Sequence, residues 1–148
     1  MIALATKEEL VGMADIASYY FSKCKKIGGF NRELFCSTWN NLIATGAGLI
    51  IKRTSNGSGI VEGMGFLIYP DQFDQALSAY AAFWYIGDDF KGLEGGMLHL
   101  EVETILKERG ITRLYMTSLI NQRDGKVGRY LMHAGYQPLE VVYGKELI

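Results

Sequence analysis

Hydrophobic positions divide the chain into segments of strand period and segments of helix period. The central one is an unbroken apolar run at 79–86, bounded by Gly87-Asp88-Asp89, which is typical of a strand buried on both faces. A glycine-rich segment follows at 91–96. Beyond it, apolar residues recur at the spacing of one helix face: Leu98, Val102, Ile105 and Leu106. Gly110 is placed to end this helix. The pattern predicts strand, glycine loop and helix in direct succession.

The residues before residue 47 predict a short strand and two helices. Residues 2–5 suit the strand. Thr6 is followed three residues later by a glutamate, which is the capping-box spacing at the start of a helix over 7–26. Asn31 is placed to cap a second helix, and Gly46 is placed to end it.

A polar link separates apolar runs at 49–51 and 60–69. Because the link contains Asn56-Gly57, it predicts a β-hairpin. Gly63 and Gly65 lie inside the second strand, which indicates a bulge or a close neighbour at that place.

The last third of the chain predicts two further strands and a short helix. Residues 113–120 are rich in strand formers and suit a buried strand parallel to the central one. A helix is expected over 126–134, ended by Gly135, and a final strand over 139–143. Since the chain contains no repeat, linker or low-complexity tract, we expect a single domain, 1–148.

Composition narrows the class of protein. Apolar residues make up 49% and charged residues 21% of the chain, as in globular domains, and the net charge of −1 gives no reason to expect nucleic acid or a membrane surface as partner. No apolar run approaches the roughly 20 residues that span a bilayer. Cys24, Cys36 and two distant histidines fit neither a disulfide framework nor a metal motif. We therefore expect a reduced, cytoplasmic protein without a metal.

The glycine-rich segment is the candidate site of chemistry. A strand, a glycine loop and a helix start bring backbone N–H groups and the positive end of a helix dipole to one place, which favours anions. Neither the dinucleotide pattern G-x-G-x-x-G nor the P-loop pattern is present. Two interpretations remain open: a turn that holds a pyrophosphate without hydrolysing it, and a loop with no ligand.

Three stretches resemble the GCN5-related N-acetyltransferase (GNAT) superfamily. Trp84–Gly92 is similar to the family's central strand and its motif V-x-P-x-x-R-G. Met132–Tyr136, followed by Pro138, is similar to the segment before the family's last strands. Gly63–Asp71 is similar to a strand of small bacterial and phage-type members. The resemblance implies an α/β (α+β) fold. Its mixed central sheet would have six to seven strands, with helices on both faces and a splayed pair of parallel strands.

The resemblance also implies acetyl-CoA as co-substrate and assigns residues to it. Pantetheine would pair with the backbone of Trp84, Tyr85 and Ile86. The pyrophosphate would face backbone N–H groups of the following loop and helix start, namely Lys91, Gly92, Leu93, Glu94, Gly95, Gly96 and Met97. Asn121 would lie at the mouth of the parallel strand. An amine would attack the thioester directly, without an acyl-enzyme.

The chain departs from the family pattern at several positions. Glu94 stands where the loop has a glycine, so we expect weaker coenzyme A binding or a rearranged loop. The tyrosine that serves as acid in relatives maps to Leu131, and Tyr130, one place away, is the candidate acid. The central-strand glutamate is missing, so Glu62, Ser118 or Asn121 could position a water instead.

The leading hypothesis is an acyl-CoA-dependent N-acyltransferase that transfers acetyl to a small-molecule or protein amine. Four acids could attract such an amine: Asp15, Glu33, Asp71 and Asp74. The alternative is a catalytically inactive module of the same fold, for example one associated with a phage particle, and a third is a nucleotide-binding domain. The apolar stretch at 141–143 favours a homodimer.

Overall fold

The computed structural model describes residues 1–24, 28–55, 57, 59–86, 97–117 and 126–147. A short 3-10 helix, Lys7–Glu9, precedes the first α-helix. The remaining elements are, in chain order, β1 Ile2–Leu4, α1 Leu10–Cys24, α2 Arg32–Thr45, β2 Gly48–Ser55, β3 Gly59–Pro70, β4 Leu77–Ile86, α3 Met97–Glu108, β5 Arg113–Tyr115 and α4 Lys126–His133.

Within the described residues the strands form one mixed sheet in the order β1-β2-β3-β4-β5. Neighbouring strands are antiparallel from β1 to β4, whereas β5 is parallel to β4. The connection from β4 to β5 passes through α3, as parallel pairing requires. The mixed α/β architecture confirms the predicted fold class.

Local capping explains where the first helical segment begins and where α2 begins and ends. The Thr6 backbone N–H donates to Glu9 Oε1 at 3.0 Å, which confirms the predicted capping box. The Asn31 side chain accepts a hydrogen bond from the Leu34 backbone N–H at 2.9 Å. Gly46 has a φ of 75°, the left-handed conformation that ends helices and favours glycine.

The sheet separates two hydrophobic layers. The layer on the α3 side contains the buried residues Ile51, Met64, Phe66, Ala81, Val102 and Leu106. The layer on the α1 and α2 side contains Met13, Ile16, Trp39, Ile50, Phe83 and Tyr85. Burial of one sheet face by each layer is the main source of stability, because every fully buried large apolar side chain contributes about 1.5–3 kcal/mol.

The predicted irregularity around Gly63 and Gly65 is present. The pairing of β3 with β4 moves from Gly65↔Phe83 to Phe66↔Ala81, so Ala82 is the extra residue of a β-bulge. Gly65 also has the close neighbour that its sequence position indicated, because a Cβ there would lie 2.3 Å from the Phe83 ring.

We predict that Gly65→Ala destabilises the protein by about 1–3 kcal/mol, because the Phe83 ring cannot move away from the new methyl group without disturbing the core. Thermal or urea unfolding would measure this loss. Gly29→Ala is the matched control, since a Cβ there meets nothing within 4 Å. Equal stability of the two variants would contradict the prediction.

Two strand predictions differ from the structure. The strand expected over 113–120 covers only Arg113–Tyr115 of the described residues, and 118–120 lie outside them. The strand expected over 139–143 is wrong, because these residues form no strand and Tyr143 is 91% exposed. Strand-forming side chains do not suffice without a neighbouring strand to pair with. The described sheet therefore has five strands instead of the expected six to seven.

Candidate active site

The parallel pair β4 and β5 is joined over a short length. The ladder comprises Ser78↔Arg113, Ala79↔Leu114 and Tyr80↔Tyr115, and β4 then continues to Ile86. The next described residues after β5, 116 and 117, are not in a strand. At this point the Thr117 hydroxyl donates to the Ala81 carbonyl at 3.4 Å. Among the described residues, ladder pairing between the two strands thus extends no further than the middle of β4.

The residues assigned to acetyl-CoA fall partly within the described chain. Trp84 and Tyr85 lie in the second half of β4, Ile86 is its last residue, and Met97 is the first residue of α3. The succession of strand, connecting segment and helix is therefore as predicted. The other loop residues, Lys91, Gly92, Leu93, Glu94, Gly95 and Gly96, lie outside the described residues, as do Ser118 and Asn121.

Trp84 and Tyr85 point to opposite faces of the sheet. Trp84 packs against the α3-side layer, whereas Tyr85 belongs to the α1 and α2 side and is 8% exposed. Tyr19 of α1 stacks on Tyr85, with ring centroids 5.9 Å apart and planes at 10°. The end of β4 is thus held by aromatic contacts on both faces.

A buried ion pair lies beneath Trp84. Glu62 of β3 is 0% exposed, and its Oε2 accepts a hydrogen bond from Arg53 Nε at 2.9 Å. Its Oε1 accepts the Trp84 indole N–H, also at 2.9 Å. Because both carboxylate oxygens are engaged and shielded from solvent, this geometry argues against Glu62 as the residue that positions a water.

Tyr130, the candidate acid, lies on α4 against this cluster. Its ring centroid is 6.4 Å from that of Trp84, with the planes at 52°. Burial, followed by the negative charges of Glu62 and Glu103, raises the pKa of Tyr130 above its ordinary value. The hydroxyl is therefore protonated at neutral pH, which is the form that a proton donor requires.

The end of α4 is tied to α3 by a second tyrosine. The Tyr136 hydroxyl donates to Glu103 Oε1 at 3.0 Å, and burial together with this bond raises the pKa of Tyr136. A cavity of about 350 Å³ lies here, lined by residues of α3, β5 and the end of α4. Its described lining residues do not include the second half of β4.

The acids considered for amine attraction are mostly engaged within the protein. Asp74 pairs with Arg113, whose Nη1 lies 3.0 Å from Asp74 Oδ1, and this guanidinium lowers the pKa of Asp74. Asp71 is 3.6 Å from the same guanidinium. Asp15 forms an ion pair with Arg32. Each of these three carboxylates therefore already faces an arginine of the chain.

Within the described part of the chain, no helix is long and apolar enough to cross a membrane. The same residues contain no group of three or more His, Cys, Asp or Glu side chains that could hold a metal ion.

The architecture matches solved structures along nearly its whole length. Glucosamine-6-phosphate N-acetyltransferase from Arabidopsis thaliana gives a TM-score of 0.74 at 12% identity, covering 100% of this chain and 98% of that one. A ribosomal-protein-alanine N-acetyltransferase from Brucella melitensis biovar Abortus gives 0.69 at 16% identity, covering 100% and 97%. A transcriptional regulator from Bacillus halodurans gives 0.75 at 15% identity, covering 99% of each chain.

No protein-family profile matches the sequence, and no curated protein sequence matches it either. The structural matches nevertheless include several acetyltransferases, and each of these alignments covers at least 97% of both chains. The chain therefore has the fold of the GNAT superfamily, as the sequence resemblance implied. At these sequence identities the likeness establishes the fold.

Proposed function

We propose that the protein is an acyl-CoA-dependent N-acyltransferase that transfers acetyl from acetyl-CoA to an amine. The observation that carries this proposal is the parallel pair β4 and β5, whose ladder, over the residues that the structure describes, reaches Tyr80↔Tyr115 while β4 runs on to Ile86. A strand that continues beyond its partner offers a place for an extended ligand to add as a further strand. Pantetheine is such a ligand.

The residues assigned to the co-substrate have distinct roles in this proposal. The backbone of Trp84, Tyr85 and Ile86 would align pantetheine and polarise the thioester carbonyl. Backbone N–H groups at 91–97, beside the N-terminus of α3, would face the pyrophosphate, with the Lys91 ammonium nearby. Asn121 would border the same slot from the β5 side.

The chemistry then rests on positioning and on one proton donor. The amine nitrogen forms a bond to the acyl carbon while the carbon–sulfur bond breaks and sulfur takes the electron pair. Tyr130 Oη donates its proton to the departing sulfur. The acylated nitrogen, which carries a positive charge after the attack, loses one proton to solvent, and Tyr130 regains a proton from solvent. No acyl-enzyme and no metal enter this scheme.

Isothermal titration with coenzyme A tests the proposal, and acetyl-CoA-dependent thiol release with a panel of amines identifies the acceptor class. We expect saturable coenzyme A binding, and weaker binding of ADP, because ADP lacks the pantetheine arm that β4 would bind. No detectable heat at millimolar coenzyme A would refute the transferase. Equal affinity for adenine nucleotides would favour a nucleotide-binding domain.

Glu94 gives a prediction about the loop. Removing its charge with Glu94→Gln should tighten coenzyme A binding about three- to tenfold, since a carboxylate beside a pyrophosphate is repulsive and partly screened. The effect should shrink as salt is raised. Glu101→Gln, an exposed position of α3, is the matched control. Unchanged affinity in the Glu94 variant would show that this carboxylate points away from the ligand.

The alternative function is a module of the same fold that has lost catalysis, for example a phage-associated one. It is favoured by Leu131 at the position of the family's acid and by the match to a protein described as a transcriptional regulator. Binding of coenzyme A without transfer to any amine would support it.

The acceptor, partner and location complete the proposal. We propose a small-molecule or protein amine as acceptor, and the cytoplasm as location on the basis of the cysteine content.

We also propose a homodimer, because the C-terminal segment exposes large apolar side chains: Leu139, Val141, Val142, Tyr143 and Leu147. Light scattering would measure the molar mass of the protein and of its Val142→Lys variant. A monomeric mass at every concentration, the same for both proteins, would refute the dimer.

A further inference from the structure

Three side chains from three adjacent strands meet beside α4. Arg53 belongs to β2, Glu62 to β3 and Trp84 to β4. The Glu62 carboxylate accepts one hydrogen bond from Arg53 Nε and one from the Trp84 indole N–H, both at 2.9 Å. Arg53 is 6% exposed and Glu62 0%. The cluster lies at the end of β4 that extends beyond its pairing with β5.

The sheet register fixes the geometry of this cluster. Arg53 is directly opposite Glu62, and Glu62 is two residues from Met64, which is opposite Trp84. A carboxylate with two donors at its two oxygens cannot rotate without breaking one of the hydrogen bonds, and a charged acceptor makes these bonds strong. Turning the indole away would leave a buried carboxylate oxygen without its donor, which is costly. The indole plane is therefore held in one orientation.

The held indole contacts the candidate acid. The rings of Trp84 and Tyr130 have centroids 6.4 Å apart and planes at 52°, within the range of favourable tilted aromatic pairs. Tyr130 comes from α4, which is far from β4 in sequence, so this contact is a direct link between the helix and the central strand. An ion pair alone would need only Arg53 and Glu62. Trp84, the third member of the cluster, adds an aromatic ring of fixed orientation.

We propose that Glu62 and Trp84 are positioning residues for Tyr130: the carboxylate, anchored by Arg53, fixes the indole, and the indole fixes the tyrosine ring beside the end of β4. The catalytic importance of this arrangement rests on the proposed function, in which Tyr130 is the acid. The arrangement itself does not, so the two can fail separately. Independently, the negative charge of Glu62 helps raise the pKa of Tyr130 and thus keeps the proton on its hydroxyl.

Trp84→Phe is the first test, because it removes the indole N–H while keeping an aromatic ring and the Arg53–Glu62 pair. With acetyl-CoA and the best amine of the panel, we expect kcat to fall about tenfold, as for a modest misplacement of a catalytic group, with KM for acetyl-CoA changed less than twofold. In a Tyr130→Phe background the same substitution should have no further effect on kcat. Equal fractional losses in both backgrounds would overturn the proposal.

A second measurement needs no acceptor and no activity. In protein with ¹³C-labelled tyrosine, the Tyr130 resonance is identified by its absence in Tyr130→Phe. We expect Trp84→Phe to shift this resonance and Glu62→Gln to lower the pKa of Tyr130. Trp39→Phe, the same substitution in the opposite layer, and Glu108→Gln, an exposed charge, should change neither.

The two proposals are distinguished by these readouts. Absence of coenzyme A binding with the expected resonance changes would refute the transferase and leave the positioning role intact. Coenzyme A binding with an unchanged Tyr130 resonance in Trp84→Phe would overturn the positioning role alone. Should Glu62→Gln fail to fold by circular dichroism, Trp84→Phe decides the outcome by itself.

Discussion

Tyr130→Phe should lower kcat for acetyl transfer by about 10²–10³-fold and leave the affinity for coenzyme A within a factor of two. General acids contribute roughly 10²–10⁴-fold to the reactions they assist, and the phenyl ring retains the contact with Trp84 while losing only the hydroxyl group. Steady-state thiol release measures kcat, and calorimetry measures the affinity. The split between the two distinguishes a proton donor from a binding residue.

The matched control is Tyr136→Phe on the same side of the molecule. The Tyr136 hydroxyl bonds Glu103, so its removal should reduce stability and affect kcat only slightly. The dependence on pH gives a second check. Since the pKa of Tyr130 is raised, the protonated form persists through neutral pH, and the rate should fall only at a pH above the range in which an ordinary tyrosine titrates. A rate that survives in Tyr130→Phe would exclude this tyrosine as the acid.

The second large effect concerns stability. Glu62→Met should destabilise the protein by about 3–5 kcal/mol, because it leaves the buried guanidinium of Arg53 without its counter-charge. The Trp84 indole also loses its acceptor in this variant. Urea unfolding would measure the loss as a lower midpoint concentration of urea, while the slope of the unfolding free energy against urea concentration stays unchanged.

The control for this prediction is the double variant Arg53→Met with Glu62→Met. Replacing both members of a buried ion pair by apolar side chains is often close to neutral, so this variant should recover part of the lost stability. The remaining deficit, about 1–3 kcal/mol, is the cost of a partly buried indole N–H without its carboxylate. A double variant no more stable than Glu62→Met would contradict this account of the cluster.

Much of the fold could be predicted because its signals are local. The capping pair at Thr6, the cap at Asn31 and the hairpin signal at Asn56-Gly57 each depend on a few consecutive residues, and the two capped helical segments and the antiparallel pair β2 and β3 are present. The final strand at 139–143 shows the limit of this approach. Its composition favours a strand, but a strand forms only where another strand offers hydrogen bonds, and that is a property of the whole sheet.

The site was less accessible from the sequence. The parallel pair and the succession of strand, loop and helix follow from periodicity, whereas contact between Trp84 and Tyr130 depends on how α4 packs. A signal for the ion pair was present: Arg53 and Glu62 lie on either side of the hairpin turn, and Glu62 stands in a run that is otherwise free of charge. Opposite charges so placed can face each other across a hairpin, and a buried pair is what the structure has.

The extra residue at Ala82 has a consequence for any change in chain length within β4. Side chains alternate along a strand, so the bulge places Phe83 and Tyr85 on the α1 side and returns Trp84 to the α3 side, with Ala81. Deleting that single alanine would make Gly65↔Phe83 and Phe66↔Ala81 consecutive pairs of a regular ladder and leave Phe83, Trp84 and Tyr85 in their present layers. With the bulge kept, one residue inserted between Phe83 and Trp84 would instead exchange the two faces for all that follows. The indole would then enter the wrong layer, and the carboxylate beneath it would lose its indole donor. Point substitutions here are graded in effect, whereas a one-residue insertion beyond the bulge reverses the strand's inside and outside.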